Sequence, residues 1–464
     1  MEKNQNNLPE GRSIDLRQQL TVLGFTLFVI YLVAIFFVNV PRWGIWWTDF
    51  LAFHSAGEIV RQGEADQLYD FKVQKEYQTH LAEKSRQVPS SLDPAISEAS
   101  FVLRYLNSPL LAVMMVPFSL VSLEISWRVW AICNFILLAG MCWIWWKYLM
   151  TSWSFKEKLA AISGVLCFAP IFPVFNSGQL TFLIGILLTG CLLAWRAQKP
   201  IWAGLFLSLL VIKPQLGLYL GIAVLFGGYW KILLSTCGWS LGIFLSTSLL
   251  IGVKPWFDWV QIMREVGTKQ GIEGVPTHQL MNLRALLLAF FPEAPESWIG
   301  SLTFFGFAGG AVLVAGIWVY FAWRNTALHS LKEEAPSNSP PQNKLLLDNL
   351  LAFTLFLMLP LSPHLLPHSA FVAVLPSLLF YRVVRDFSRW RVFYGWFLVL
   401  SIIGFLIGYF PIPPEEIFGN FVNSLEPLVL FAHAGISLVW LRSTSKVEQT
   451  FVPSTKPTSS IETA

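Results

Sequence analysis

Apolar runs of about 20 residues recur along nearly the whole chain, parted by short polar stretches, and each is long enough to cross a bilayer as a helix. They lie at roughly 20–40, 109–124, 127–147, 158–175, 180–195, 200–227, 230–252, 300–323, 345–361, 369–382, 391–410 and 424–441. This pattern predicts an all-α, polytopic integral membrane protein with about twelve transmembrane helices between residues 20 and 441. Residues 1–19 read as a polar cytoplasmic tail. The stretch 442–464, rich in Ser, Thr and Pro, reads as a disordered one.

Lys and Arg near the spans set the orientation. The basic stretches are the N-terminal tail, 324–344, the 382–391 turn and the segment carrying Arg442 and Lys446. An even number of spans puts all four in the cytoplasm. Lys147, Lys156, Lys158, Arg196 and Lys199 then fall outside, against the rule. Treating 109–124 as a re-entrant hairpin relieves the first of these conflicts. Two large external loops result, 41–108 and 253–299. A short acidic segment, 410–423, and the turn Ser362–His368 lie on the same side.

Composition narrows the function classes. The chain is 55% hydrophobic and 13% charged, against about 25% charged in soluble domains. That leaves no room for a large soluble domain. The net charge of +4 is small and lies on loops, so no nucleic-acid partner is implied. The five cysteines sit in apolar segments, without metal-ligand spacing or a disulfide framework. The first apolar run is too long for the core of a cleavable signal and reads as an uncleaved span.

The chemistry-bearing residues lie in the polar intervals. Asp49 follows Trp43, Trp46 and Trp47 and is the first carboxylate beyond the first run. Indoles settle at the membrane boundary, a depth that suits work on a lipid headgroup; an ordinary loop aspartate fits the position too. Residues 50–61 read as an interfacial helix with Phe50, Phe53, Ala56 and Val60 on one face, ended by Gly63. Asn176 and Gln179 bracket a turn between two runs, where amides either bridge helices or meet a ligand. Lys213 stands inside the apolar run 200–227 and Pro214 breaks the helix beside it. An intramembrane lysine marks an anionic ligand or a counter-ion, unless it snorkels to an interface. His278, Gln279, Asn282 and Arg284 suit sugar hydroxyls and phosphate oxygens, or form a solvated loop. His364 and His368 are spaced i, i+4, but Pro367 opposes a regular helix and no third ligand is evident, so neither metal nor cofactor is expected.

The ordered series resembles bacterial glycosyltransferase family 87. It comprises Thr48-Asp49-Phe50, Leu68-Tyr69-Asp70, Ser108-Pro109-Leu110, Asn176-Ser177-Gly178-Gln179, Lys213-Pro214, His278-Gln279, Asn282-Leu283-Arg284 and Ser362-Pro363-His364. That family includes polyprenol-phosphate-mannose-dependent α-1,2-mannosyltransferases and is of the GT-C class. The resemblance implies a GT-C-like fold, a polyprenyl-phosphate-linked sugar donor and a glycolipid or glycan acceptor. It further implies a plasma (inner) membrane location with the active site on the outer face. Asp49 is then the general base. His364 holds the place of a family histidine near the active site. By residue type, Lys213, Arg284, His364, His278, Gln279, Asn282, Asn176 and Gln179 are the expected donor-side contacts. The sequence departs from the family at Asn107-Ser108-Pro109, where Tyr-Pro-Pro is usual, and at Thr181, where a second Asn is common. The rival readings are a transporter or flippase for a lipid-linked sugar and a non-catalytic scaffold of envelope assembly.

Overall fold

The computed structural model describes residues 48–85, 103–268, 280–324, 341–363, 365–408 and 425–450, with Thr26 and Ile30. The expected first span and the acidic segment 410–423 lie outside these, apart from those two residues. Among the described residues there is no strand, and seven helices are long and apolar enough to cross a membrane. They form two compact units. The first is Met1–Tyr105 with Ala112–Phe182, and the second is Leu106–Leu111 with Leu183–Ala464.

In the first unit, α1 (Asp49–Arg61) is central. Residues 50–57 are all buried. Eight consecutive residues exceed two helical turns, so every side of α1 is covered. This corrects the expectation of an interfacial helix with a single apolar face. The cover comes from elements both near and far in sequence. One is α2 (Phe71–Ser85), a mostly polar helix that opens after Asp70, whose carboxylate accepts from the Lys72 amide at 2.8 Å. Gln74 and Gln78, one turn apart, fix the extended segment 103–105. Gln78 accepts from the Leu103 amide (3.2 Å) and donates to the Leu103 carbonyl (2.9 Å), and Gln74 accepts from the Tyr105 amide (3.0 Å). Polar pins of this kind hold α2 where apolar area is scarce.

Next come α3 (Pro109–Met115), a 3-10 turn at Phe118–Leu120, and α4 (Leu123–Ile144), whose last turn widens into a π-helix ending at Leu149. After α4 the chain forms α5 (Phe155–Leu166), opened by a Ser154–Glu157 capping box, and α6 (Ile171–Asn176). The expected spans 109–124 and 158–175 are therefore not continuous helices. Pro117 ends the first, and Pro170 parts α5 from α6, as expected of a residue that bars helical geometry just before it.

α7 (Thr181–Arg196) leads into the second unit. There the run 200–227 is folded back rather than extended. It comprises α8 (Pro200–Leu209), a 3-10 turn at Leu210–Ile212, and α9 (Pro214–Phe226). At about 1.5 Å per residue each arm is near 15–20 Å long, too short to cross. Trp195, at the end of α7, meets Tyr229 edge-on with centroids 4.8 Å apart, and stacks on Trp318 at 5.5 Å. The chain thus leaves one end of the unit after α7 and has returned to it by Tyr229. Lys213 sits at the turn of this re-entrant hairpin.

α10 (Trp230–Ile251) then rises alongside α8, with the Ser235 hydroxyl donating to the Ile201 carbonyl at 3.1 Å. The approach is close. A Cβ on Gly204 would collide with Ser235 and come within 2.7 Å of the Thr236 backbone nitrogen. Gly204→Val is expected to cost about 1–3 kcal/mol by overpacking. Thermal unfolding of the detergent-purified protein checks this, and an unchanged midpoint would mean that the two helices are not in this register.

The remaining helices are α11 (Lys254–Thr268), α12 (Leu283–Phe290), α13 (Glu296–Arg324), α14 (Pro341–Leu361), α15 (Pro367–Ala370), α16 (Val374–Val384), α17 (Ser388–Gly408) and α18 (Leu425–Thr450). α18 continues to Thr450, into the tail expected to be disordered. Buried polar pairs join these helices, as is usual in membrane bundles. Trp318 donates to Thr354 (2.9 Å), Ser437 donates to Asn349 (2.7 Å), and His433 contacts both Tyr394 (2.9 Å) and Ser401 (3.1 Å).

Asp348 in α14 is fully buried, with Arg196 Nε at 3.1 Å and Arg382 Nε at 3.7 Å. One carboxylate thus binds the end of α7 to the end of α16. Counting twelve crossings put Arg196 outside and the 382–391 turn inside; their shared partner excludes that. The count went wrong because 200–227 returns to the side from which it started. Arg196, Lys199 and the 382–391 turn now gather at one end of the second unit.

Candidate functional site

Asp49 is the first residue of α1, after Thr48 in an extended conformation (φ −112°, ψ 146°). A carboxylate there meets the positive end of the helix dipole. It is half-buried, and the Gln179 side-chain amide donates to its Oδ2. The turn Ser177–Gln179 that delivers this amide is fixed from two sides. Gly178 has φ +62°, and a Cβ there would come within 2.7 Å of Phe50 Cβ, so both the backbone and the space require glycine. The Trp130 indole N–H on α4 donates to the Gly178 carbonyl at 2.7 Å. Phe50 stacks on that indole, with centroids 6.1 Å apart. Asn134, with its amide nitrogen turned to the Gln179 backbone carbonyl (3.2 Å), accepts from the same indole at 2.9 Å. The two expected amides therefore part company: Gln179 is buried against Asp49, whereas Asn176 is exposed at the end of α6.

His54, one turn further along α1, is buried with Nδ1 3.1 Å from the Ser126 hydroxyl. Burial, and after it the Arg61 charge, lowers its pKa to about 4. It is neutral at ordinary pH and serves the α1–α4 contact.

In the second unit, Lys213 has an extended backbone (φ −142°, ψ 74°), because Pro214 occupies the first position of α9 and disfavours helix before it. Its Nζ donates to the Ser369 hydroxyl at 2.6 Å. Ser369 and its neighbour His368 are both buried in α15. Pro214, the residue after Lys213, lines an apolar recess of about 290 Å³ together with Trp259, Val260, Met263 and Arg264. The recess belongs to α11, held in place by Trp259, whose indole donates to the Leu106 carbonyl at 3.1 Å.

Asn282 and Arg284, expected to meet substrate, have internal partners. Asn282 is fully buried and caps α12, accepting from the Ala285 amide at 3.1 Å. Its side-chain nitrogen donates to the Ser362 (3.1 Å) and Pro363 (2.7 Å) carbonyls. The Met281 amide donates to the Leu365 carbonyl at 2.8 Å. The residue thus ties the start of α12 to the 362–365 turn. Its amide has no hydrogen left for a ligand. Arg284, also buried, pairs with Glu296. His278, Gln279 and His364 lie outside the described residues.

The structure therefore brings Asp49 to Gln179, and Lys213 to His368 and Ser369. Trp130, Asn134 and Ser369 were missed in the sequence. Only Trp130 carried a signal, as an aromatic inside an apolar helix, and that pattern reads as core.

Residues 105–335 match the family model of glycosyltransferase family 87. The match implies a membrane glycosyltransferase with sugar donor and acceptor substrates. It spans Asn176, Gln179, Lys213, Asn282 and Arg284; Asp49 and His364 lie beyond it. No curated protein matches the chain.

Proposed function

We propose that the protein transfers a sugar, mannose or another hexose or pentose, from a polyprenyl phosphate to a hydroxyl of a glycolipid or glycan at the outer face of the plasma membrane. One observation carries this reading. Lys213 stands at the turn of a re-entrant hairpin, held by Ser369, and the next residue, Pro214, lines an apolar recess. A cation next to an apolar surface matches a phosphate on a hydrocarbon chain. The Asp348 arginines mark the opposite end of α14 from the 362–365 turn. Basic ends favour the cytoplasm, so the Lys213 end faces outward.

In the reaction, the acceptor oxygen attacks the anomeric carbon opposite the phosphate. The bond from that carbon to the phosphate oxygen breaks, and its electron pair leaves with the polyprenyl phosphate. The hydroxyl proton passes to Asp49. A single displacement inverts the anomeric centre. Lys213 meets the charge that builds on the leaving phosphate, where a preorganised cation acts most strongly. His368, the neighbour of Ser369, offers the leaving phosphate a hydrogen bond, and the family resemblance assigns His364 to the donor as well. Lys213→Met is expected to lower kcat/KM for a polyprenyl-phosphate sugar by about 10²-fold, with Lys213→Arg retaining most of it. Turnover near normal in the Met variant would remove Lys213 from the donor site.

A second reading, a flippase for a lipid-linked sugar, draws support from the interrupted hairpin, since transporters use discontinuous helices at their substrate sites. Sugar movement into sealed vesicles without release of lipid phosphate would favour it.

A further inference from the structure

We propose that Gln179 and Trp130 are positioning residues that hold the Asp49 carboxylate ready to accept a proton; this rests on the assignment of Asp49 as base. Gln179 is buried and its amide donates to Asp49. It has no freedom to drift, because the residue before it is gripped by the Trp130 indole at 2.7 Å. The same indole stacks on Phe50, the residue after Asp49. One side chain on α4 therefore holds Phe50 and Gly178, the neighbours of both partners in the Asp49–Gln179 hydrogen bond. An amide donor favours the ionised carboxylate, the form a base needs, and fixes which way it points.

Among the described residues, the other titratable groups on α1 and the elements packed against it include His54, whose Nδ1 is 3.1 Å from the Ser126 hydroxyl. On α1 itself Glu58 pairs with Arg61 at 3.2 Å. On α4 Glu124 pairs with Arg128 at 2.6 Å. On α2, Tyr77 donates to Glu64, Lys72, Glu76 and His80 are exposed, and Lys75 is half-buried. The Gln179 amide donates to the carboxylate itself, so its removal is read at Asp49.

The test uses the full chain in detergent, labelled with [4-13C]aspartate. Infrared pH titration, taken as a difference against Asp49→Asn, isolates the Asp49 carboxylate band without need of substrate. Gln179→Leu is expected to raise its midpoint by about one pH unit. Trp130→Phe keeps an aromatic ring against Phe50, loses the N–H with part of the indole, and is expected to move the midpoint the same way by less. With polyprenyl-phosphate mannose as donor, the acid limb of kcat should shift in parallel. Midpoints equal to wild type in both variants, with helical content and elution unchanged, would overturn the positioning role. Full transfer by Asp49→Asn would instead overturn the base assignment, and the infrared result stands apart from it.

Discussion

Replacing Asp49 with Asn is expected to slow sugar transfer by about 10²–10⁴-fold, the range a general base supplies, while leaving the fold intact. The substitution keeps the size of the side chain and its place at the head of α1, so Phe50, Trp130 and the Gly178 turn have no reason to move. The fall should be mostly in kcat, because a general base acts on the acceptor proton in the transition state and not on donor binding. Initial rates of lipid-phosphate release, with donor and acceptor each varied, check this. Equal turnover by the two proteins would make Asp49 a structural residue of the α1 N-terminus.

Replacing Asp348 with Ala is expected to destabilise the second unit by about 3–5 kcal/mol, the usual result of removing one partner from a buried ion pair. The carboxylate is fully buried between Arg196 and Arg382, which keep only 11% and 19% of their side-chain surface exposed. Without it two guanidinium groups repel each other in a poorly solvated place. Either the ends of α7 and α16 part or the arginines swing outward, and both disturb the packing around Trp195, Tyr229 and Trp318. A lowered thermal midpoint in detergent, partly restored by adding Arg196→Gln, is the expected outcome. An unaltered midpoint would show that the pair contributes nothing net.

The long crossings were legible because hydropathy reports burial in lipid well. Trp230–Ile251, Glu296–Trp323, Ser388–Ile407 and Leu425–Arg442 each agree with a run read from sequence. The hairpin at 200–227 was not, since two apolar arms joined at Lys213-Pro214 have the length of a single crossing. Its signature was the misplaced charge on Arg196 and Lys199, which the folded-back path resolves. Runs 109–124 and 158–175 failed for a local reason, prolines inside short apolar stretches. α1 misled because a sequence shows which residues are apolar but not what will cover His54 and Ser55.

The candidate site was legible as residue types and not as partners. Asp49 and Gln179 are 130 positions apart, and nothing local in the sequence joins them. Lys213 and Ser369 are likewise far apart in sequence. Asn282 was read as a ligand contact, although an Asn before Leu283–Phe290 is also a capping signal, and capping is what it does.

The central claim is sugar transfer from a lipid phosphate with inversion. The most direct measurement is to incubate the purified full chain with a panel of polyprenyl-phosphate sugars and a glycolipid acceptor. Mass spectrometry then counts the freed lipid phosphate, and NMR reads the anomeric configuration of the product. The account predicts one lipid phosphate per new glycosidic bond, an inverted anomeric centre, and loss of both with Asp49→Asn. A retained configuration, or an intact donor carried across a vesicle membrane with no lipid phosphate released, would contradict it.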